Sequence, residues 1–380
     1  MTRSTARRTT ASFLLAAALV AAVAPGASAL DGGDGGSQRG KDRVRQGLER
    51  LVGEDGVPGA LAYDGRRTRT AGTAEVGTER PMPGPDASFR IASQTKSFTA
   101  AAVMRLVAHG ELGLDDRAGR YVPQLADRDI TVRQLLKQRS GLPEFVTQVD
   151  WTRPDPYTTE EYLSLSLRQD PDFAPGADWG YSNTNYLILG MIIDKMSGTD
   201  FRTYIERHII EPLGLDGTYW PARGELTLRG PHARNYGVNP MNPEAGFTDI
   251  TDLPGYEFGP SGGLVSTPRD LDRFWNGLLG GKLLPRWAVR LMTHDTSSVD
   301  GRSEYYPAGT RYGYGIARIP LSCGGTYLGH DGDLPGDSVL GGRTANGRTA
   351  TVYTTANASQ DAGALRDLLG TVDAALCEKR

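Results

Sequence analysis

The sequence of 380 residues contains no run of lysine or arginine, and its formal net charge is −3. Nucleic acid is therefore not an expected partner. Histidine is also scarce, with five in all. Four of them are scattered without the spacing of metal ligands: His109, His208, His232 and His294. No internal repeat is evident. The hydrophobic share of 38% and the charged share of 23% are typical of a soluble globular protein.

The apolar run near the N-terminus is too short to cross a bilayer comfortably, since about 20 residues are needed. Phe13 to Val23 follows three arginines and precedes Ala27-Ser28-Ala29, which is the pattern of a signal peptide with a small-residue cleavage site. We therefore predict that residues 1–29 are a signal peptide, cleaved near Ala29, and that the protein is secreted without a stable membrane anchor. A retained anchor is the alternative, which the cleavage pattern opposes. The Arg7-Arg8 pair leaves a twin-arginine export route open.

Residues 30–40 are polar and rich in glycine, so they predict a flexible tether before a folded domain of residues 41–380. Only two cysteines occur, Cys323 and Cys377, and both lie in the exported part. An oxidising compartment favours a disulfide between them. Its loop would contribute roughly 4 kcal/mol in the chain-entropy model. Two separate buried thiols are the alternative, but an exposed thiol outside the cell would be a liability.

Strand patterns occur toward both ends of the chain. Asp64-Gly65 is a hairpin turn signal directly after an apolar segment. Four later segments have strand character: Tyr314–Ile319, Thr326–Gly329, Ser338–Gly341 and Thr349–Thr355. Helical patterns fill roughly 110–260, and Ala362 to Leu376 is a closing amphipathic helix. The sequence predicts an α/β (α+β) fold, in which an antiparallel sheet built from both chain ends is flanked by helices and a mainly helical region is inserted.

Ser93-Gln94-Thr95-Lys96 opens an apolar helical pattern that continues to His109. A serine hydroxyl is inert without a neighbouring base. Positions i and i+3 share one face of a helix, which brings the Lys96 amine beside the Ser93 hydroxyl. Free N–H groups at the helix start favour a developing oxyanion. Such a spacing also arises by chance on ordinary helix surfaces, so it predicts a nucleophile only together with further motifs.

Two further motifs follow in the chain, Tyr181-Ser182-Asn183 and His330-Asp331-Gly332. Residues two apart in an extended segment point the same way. Tyr181 and Asn183 are therefore expected to face one site, as are His330 and Gly332. All three motifs in this order are much harder to explain by chance than any one of them.

Together these residues resemble the penicillin-recognising serine hydrolases. That group includes class C β-lactamases, secreted D-Ala-D-Ala carboxypeptidases, D-aminopeptidases and related esterases. The similarity covers most of the mature chain, including segments 89–93, 130–136, 140–142, 181–186, 262–263, 321–324 and Cys377. It implies a β-lactamase-like fold, and D-Ala-D-Ala carboxypeptidase as the leading activity. The secreted carboxypeptidases also pair two such cysteines.

The resemblance implies a role for each motif residue. Ser93 becomes acylated, Lys96 and Tyr181 relay its proton, and His330 helps to move the proton to the leaving group. The implied substrate-binding residues are Asn183, Asp331, Gly332, Asp333 and Arg318, with the backbone N–H groups of Ser93 and Asp333 forming an oxyanion hole. The resemblance implies no metal or organic cofactor. We expect a monomer whose substrate is a small peptide, an amide or a β-lactam.

One departure from the carboxypeptidases concerns the grip on a substrate carboxylate. They carry a threonine in the middle of the third motif and an arginine on the preceding strand, whereas this chain has Asp331 and Ala317 there. Arg318 is adjacent, but a shift of one residue turns a side chain to the other face of a sheet. Asp331 and Asp333 would add negative charge beside the pocket, which suits the ammonium of a D-amino acid amide. Alternatively, both side chains point to solvent.

The alternatives to a carboxypeptidase are therefore a D-stereospecific aminopeptidase or amidohydrolase, an esterase and a β-lactamase. A non-catalytic penicillin-binding receptor belongs to another class of protein. The complete set of Ser93, Lys96, Tyr181, Asn183 and His330 argues against it, because a pure binder needs no such set.

Overall fold

The computed structural model describes residues 42–151, 153, 155, 157–252, 259–303 and 305–378. These residues belong to one compact unit. The predicted signal peptide, residues 1–29, and the tether, residues 30–40, lie outside the described residues and stay predictions. Within the described ranges, no helix has the length and apolar character that crossing a membrane requires.

The strands form one large antiparallel sheet and two small ribbons. In chain order they are β1 Gly59–Tyr63, β2 Thr68–Gly72, β3 Phe89–Arg90, β4 Tyr236–Val238, β5 Phe247–Asp249, β6 Val265–Ser266, β7 Ser297–Ser298, β8 Arg311–Tyr312, β9 Ala317–Pro320, β10 Thr326–Leu334, β11 Asp337–Thr344 and β12 Thr349–Thr354. The large sheet has the order β2-β1-β12-β11-β10-β9-β8-β7, while β3 pairs with β6 and β4 with β5. Both chain ends thus contribute strands to a single sheet, which confirms the predicted fold class.

The helices are α1 Arg43–Gly53, α2 Thr95–Ala108, α3 Val132–Leu136, α4 Thr159–Leu167, α5 Thr184–Ser197, α6 Phe201–Ile205, α7 Glu211–Leu213, α8 Pro268–Leu279, α9 Arg286–His294 and α10 Ala362–Cys377. A π-helical turn, Glu206–Ile210, joins α6 to α7. The inserted region therefore holds α3 to α7, but it also contains the β4–β5 ribbon, which the helical pattern did not predict.

Helices cover both faces of the sheet because successive strand residues point in opposite directions. Leu340 on β11 packs in a core with Leu48 of α1 and Leu368 of α10. Its neighbour Val339 packs on the other face, in the larger core that contains Phe98 of α2. The central strands are apolar on both faces, and the sheet lies between α1 with α10 on one side and the helical region on the other.

Local signals at the turns agree with the structure. Gly65 adopts φ +82° between β1 and β2, and the Asp64 side chain accepts the backbone N–H groups of Arg66 and Arg67. Cys323 and Cys377 form a disulfide, which ties the loop after β9 to the end of α10. The structure thus contains the expected bond and not two separate thiols.

Strand β10 is longer than the pattern predicted. It runs five residues past Gly329, so the third motif lies within the strand. Gly332 passes so close to the chain before α2 that an added Cβ would stand 2.3 Å from the Ile91 carbonyl oxygen. Only glycine allows so close an approach. The close approach places β10 against the turn that carries Ser93.

Candidate active site

Ser93 lies in a short 3₁₀ turn, Ala92–Gln94, immediately before α2. The predicted helix from Ser93 to His109 therefore begins two residues later than expected. Ala92 has φ +45°, which is unusual for a residue with a side chain and occurs mainly where the surrounding structure enforces it. The strained turn lies between α2 and β10 and presents the Ser93 hydroxyl to a cavity.

Lys96 is completely buried, and its ammonium nitrogen has three oxygen neighbours. Nζ lies 2.8 Å from Ser93 Oγ, 2.6 Å from Asn183 Oδ1 and 2.7 Å from the Ser261 carbonyl oxygen. Burial lowers the pKa of Lys96 to about 7, although Glu144 and Asp331 oppose this effect. An amide oxygen and a carbonyl oxygen only accept hydrogen bonds. When the Lys96 amine is neutral, the Asn183 and Ser261 oxygens accept its two N–H groups, and its lone pair faces the Ser93 hydroxyl.

Glu144 fixes the orientation of Asn183. Its carboxylate accepts the Asn183 backbone N–H at 2.8 Å and the side-chain Nδ2 at 2.9 Å. Nδ2 must therefore face Glu144, and Oδ1 is left for Lys96. Burial raises the pKa of Glu144, while the N–H groups of Asn183 and Val146 and the charge of Lys96 oppose the rise.

Pro143, next to Glu144, holds this loop against the second motif. Its carbonyl oxygen accepts hydroxyl groups from Ser166, Ser182 and Thr184. Ser182 and Thr184 flank Asn183 in the chain, so the same contact positions Asn183 and the acid beside it.

Tyr181 faces Lys96 from the other side of the site, with Nζ 4.9 Å from its ring centroid. Its hydroxyl is buried. Burial, reinforced by the charge of Asp331, holds the pKa of Tyr181 well above its ordinary value, although the interaction of the hydroxyl with the Ser93 side chain favours a lower pKa. Tyr181 is therefore a hydroxyl at neutral pH, suited to pass a proton but not to act as a tyrosinate base.

His330 is fully buried, and its nitrogens contact residues other than Ser93. Nδ1 lies 2.7 Å from the Asp331 carbonyl oxygen and 3.2 Å from its Oδ1, while Nε2 lies 2.8 Å from the Tyr312 hydroxyl. Its ring centroid is 6.3 Å from that of Tyr181. This arrangement orients His330 beside Tyr181. Among the described residues it shows no direct hydrogen bond from His330 to Ser93.

Asp331 and Asp333 are both turned inward, contrary to the alternative that they point to solvent. Asp331 accepts the Tyr306 hydroxyl. Burial alone would raise the pKa of Asp331, but the attraction of His330 and the hydrogen bonds with His330 and Tyr306 lower it below its ordinary value. Asp333 accepts the Ser338 hydroxyl, and burial together with the charge of Asp331 raises its pKa to about 7.

A cavity of about 180 Å³ opens beside Ser93. Its polar lining includes Ser93, Asn183 and Asp333, and its apolar lining consists mainly of Val146, Trp151, Leu334, Pro335 and Ala92. An engineered cavity of about 150 Å³ binds benzene, so this space fits a single hydrophobic side chain. Its lining, drawn from the described residues, includes no lysine or arginine.

The positions that grip a substrate carboxylate in the carboxypeptidases, and Arg318 beside them, have other surroundings here. Arg318 lies opposite Leu328 and donates to the Thr326 hydroxyl, outside the cavity lining. Ala317, in the position of the carboxypeptidase arginine, is buried in the core beneath α1 and α10. Asp331 is engaged by Tyr306 and His330. The structure directs the side chains of Arg318 and Asp331 to these other partners, and their contact with substrate stays a prediction.

Sequence reasoning missed Glu144, Ser261, Tyr306 and Tyr312. Glu144 directly follows Ser140–Pro143, a stretch partly covered by the resemblance. An acid at the end of that stretch could have indicated a further site residue. Ser261 contributes only a backbone oxygen, which no side-chain pattern reveals. Tyr306 and Tyr312 lie on a loop and a two-residue strand without any motif.

Comparison with known proteins agrees with this geometry. The family model described as Beta-lactamase matches residues 43–373. The chain belongs to the β-lactamase family. With Ser93 and Lys96 arranged as above, it is a serine hydrolase of that family, as the resemblance of its motifs predicted.

Several solved structures are similar to this chain over most of its length. A D-stereospecific amidohydrolase from Streptomyces sp. is 33% identical, with a TM-score of 0.73 over 86% of this chain and 97% of that one. D-amino acid amidase from Ochrobactrum anthropi SV3, complexed with L-phenylalanine amide, is 27% identical, with a TM-score of 0.75 over 88% and 97%. Penicillin-binding protein 4* of Bacillus subtilis is 31% identical over 151 residues, which are 39% of this chain and 33% of that relative. The match therefore spans about a third of that relative's length.

Proposed function

We propose that this protein hydrolyses amides of D-amino acids that carry a free ammonium group. The observation that carries the proposal is the lining of the cavity beside Ser93, which includes the acidic residue Asp333 and, among the described residues, no lysine or arginine. An acid at this edge attracts an ammonium group and repels a carboxylate. The apolar lining around Trp151 would receive the substrate side chain.

The proposed reaction begins when Ser93 Oγ attacks the amide carbon and its proton passes to the Lys96 amine. The backbone N–H groups of Ser93 and Asp333 stabilise the oxyanion. Tyr181 carries the proton on to the leaving nitrogen, and ammonia or an amine departs from the acyl-enzyme. Water then attacks the ester carbonyl and gives its proton to Lys96, which passes a proton to Ser93 Oγ as the ester bond breaks and the amino acid is released.

His330 acts as a positioning residue in this proposal. Tyr312 and Asp331 hold its two nitrogens, and the ring packs beside Tyr181. This changes the role implied by the resemblance, in which His330 itself moves a proton to the leaving group.

Similarity to a D-stereospecific amidohydrolase and to a D-amino acid amidase supports the choice of substrate class. D-Ala-D-Ala carboxypeptidase activity, the leading expectation from sequence, is the second candidate. The likeness to a penicillin-binding protein favours it. The positions of Ala317 and Arg318 weigh against it, because neither supplies a cation for a C-terminal carboxylate. Secretion after removal of residues 1–29, and a monomeric state, remain part of the proposal.

The decisive experiment compares kcat/KM for D-leucine amide, its L enantiomer, N-acetyl-D-leucine amide and a peptide ending in D-Ala-D-Ala. We expect the unmodified D-amide to be preferred over the other three. Ser93→Ala should be inactive on all of them while retaining the wild-type melting temperature. A preference for the D-Ala-D-Ala peptide would overturn the proposal in favour of the carboxypeptidase.

Asp333→Asn tests the role of the acid itself. Removal of one charge-assisted contact is worth about 1.5–3 kcal/mol, so the preference for the free over the acetylated amide should fall by roughly ten- to a hundredfold. Asp170→Asn, at an exposed acid remote in sequence, is the matched control and should leave the ratio unchanged. An unchanged ratio in Asp333→Asn would show that another group binds the ammonium.

A further inference from the structure

A second cleft, of about 360 Å³, lies between α9, the end of α8 and the strands β10 and β11. Its wall on the sheet includes Leu328 and Arg343, which are register partners. Asp333, at the active-site cavity, lies five residues further along β10 than Leu328. At about 3.3 Å per residue the two sites are roughly 16 Å apart, so the cleft is separate from the Ser93 site.

Basic side chains line this cleft. Arg286, Arg290 and His294 recur every fourth residue on α9, which places them along one face of the helix. Arg343 of β11 joins them. The lining residues, all within the described ranges, include no aspartate or glutamate.

These arginines differ from others on the surface, many of which lie against acids. Arg133 contacts Asp115, and Arg229 contacts Glu225. Arg286 and Arg290 are exposed, and no side-chain acceptor contacts either guanidinium in the part of the chain that the structure describes. Arg343 donates to the neutral amide oxygen of Asn276. A cleft lined by one sign of charge focuses the electrostatic potential and attracts a ligand of the opposite sign.

We propose that this cleft binds a small phosphate ester. The planar guanidinium group matches the oxygens of a phosphate in a bidentate manner. Leu279, Val289 and Leu328 provide apolar surface for the organic part of the ester. The volume lies near the lower end of the range of about 300–1,000 Å³ for small-molecule sites. The ester comes either from solution or from a phospholipid headgroup. The indole of Trp287 is 48% exposed on the same helix, and for this reason the experiment also tests the headgroup.

The test is calorimetric titration of the full chain with phenyl phosphate, and with benzyl alcohol as its uncharged counterpart. We expect phenyl phosphate to bind and benzyl alcohol not to bind. In Arg286→Ala/Arg290→Ala, affinity should fall by roughly tenfold or more, because two charge-assisted contacts are lost. Both side chains are exposed, so the variant should keep the wild-type melting temperature. Arg43→Ala, at an exposed arginine of α1, is the matched control and should bind like wild type.

Co-sedimentation with vesicles decides the source of the ester. Binding to phosphatidylglycerol vesicles but not to phosphatidylcholine vesicles, with loss in the double variant, would support the cleft and identify a lipid headgroup. Binding of phenyl phosphate alone would support it and identify a soluble ester. The proposal is overturned if neither probe binds wild type at millimolar concentration, or if the double variant binds as wild type does. Inhibition of amide hydrolysis by phenyl phosphate that persists in the double variant would place the anion at Ser93 instead.

Discussion

Among single residues, Lys96 has the greatest effect on the chemistry of the site. A lysine in water keeps its proton far above neutral pH, whereas burial lowers the pKa of Lys96 to about 7. Asn183 and the Ser261 carbonyl occupy two of its hydrogen positions, and the third direction faces Ser93. The base form is therefore available under neutral conditions and already directed at the nucleophile.

The first prediction concerns pH. The neutral amine is the proposed base and is populated above its pKa, so kcat/KM should rise by about tenfold per pH unit below pH 7 and level off above it. Asp333, with its pKa also raised to about 7, becomes charged over the same interval and would favour ammonium binding in the same direction. Measuring the profile with N-acetyl-D-leucine amide removes the ammonium and isolates Lys96. A rate that falls from pH 6 to pH 8 on this substrate would contradict a Lys96 base.

The second prediction concerns Glu144. In the wild type, one Glu144 oxygen accepts both N–H groups of Asn183 and the other accepts the Val146 N–H. Glu144→Gln is neutral and has only one acceptor oxygen, so it loses the charge that strengthens the Asn183 contacts and cannot satisfy Val146 as well. Asn183 is then held less firmly with Oδ1 toward Lys96, and kcat should fall by roughly ten- to a hundredfold, the equivalent of one charge-assisted hydrogen bond. Steady-state kinetics together with a melting curve separates this effect from unfolding. Glu160→Gln, at an exposed acid of α4, should behave as wild type. An unchanged kcat in Glu144→Gln would leave Asn183 positioned by its other contacts.

Among the elements, the meeting of β10 with the turn before α2 builds the site. β10 carries His330 on one face and Asp331 on the other, and its end lines the cavity with Asp333. The turn carries Ser93 on a strained backbone, since Ala92 has φ +45°. The two elements come together only because residue 332 has no side chain.

The third prediction follows from this contact. In Gly332→Ala the new Cβ would stand 2.3 Å from the Ile91 carbonyl oxygen, so β10 and the turn must separate. Overpacking of this kind lowers the free energy of unfolding by about 1–3 kcal/mol. The variant that remains folded should also have a lower kcat/KM, because Asp333 and Ser93 move apart. Urea unfolding and kcat/KM measure the two effects.

Gly370→Ala is the control for that substitution. Gly370 lies in α10 with nothing within 4 Å of an added Cβ, so alanine there should stabilise the helix by about 0.5–1 kcal/mol. Equal stability and activity in Gly332→Ala and wild type would refute the close contact.

At the scale of the whole molecule, strands from both chain ends meet in one sheet, and the C-terminal helix closes over it. The disulfide between Cys323 and Cys377 anchors the end of α10 at a sequence separation of 54 residues. The Asp373 carboxylate also accepts the backbone N–H of Ser322 near this point. The active site lies on other segments, so this anchor should act on stability alone.

The fourth prediction is that Cys323→Ser/Cys377→Ser lowers the free energy of unfolding by up to about 4 kcal/mol, the loop-closure contribution for this separation. Because Asp373 still holds Ser322, the measured loss should lie below that limit. The double variant should keep the wild-type kcat/KM at temperatures well below its melting point. A loss of activity in the folded variant would show that the disulfide shapes the site.

Local patterns were enough to predict the helix that follows Ser93, although not its first residue, together with the Asp64-Gly65 turn and the antiparallel strands from both ends. These features depend on residues within a few positions of one another, where periodicity and turn chemistry act. The pairing of Ser93 with Lys96 is of the same kind, since three residues on a helical turn determine the distance between hydroxyl and amine.

The partners of the site residues required the tertiary structure. Glu144 meets Asn183 across 39 residues, and Tyr306 meets Asp331 across 25. Whether Asp331 would face substrate, solvent or a buried tyrosine depends on which loop packs over β10. No local pattern in the sequence identifies that loop. The charge states followed from the same packing, because removal of water by distant segments lowers the pKa of Lys96 and raises that of Asp333. The sequence by itself determined which chemical groups are present and their local geometry, while burial and long-range packing decided what each group contacts and whether it carries a proton.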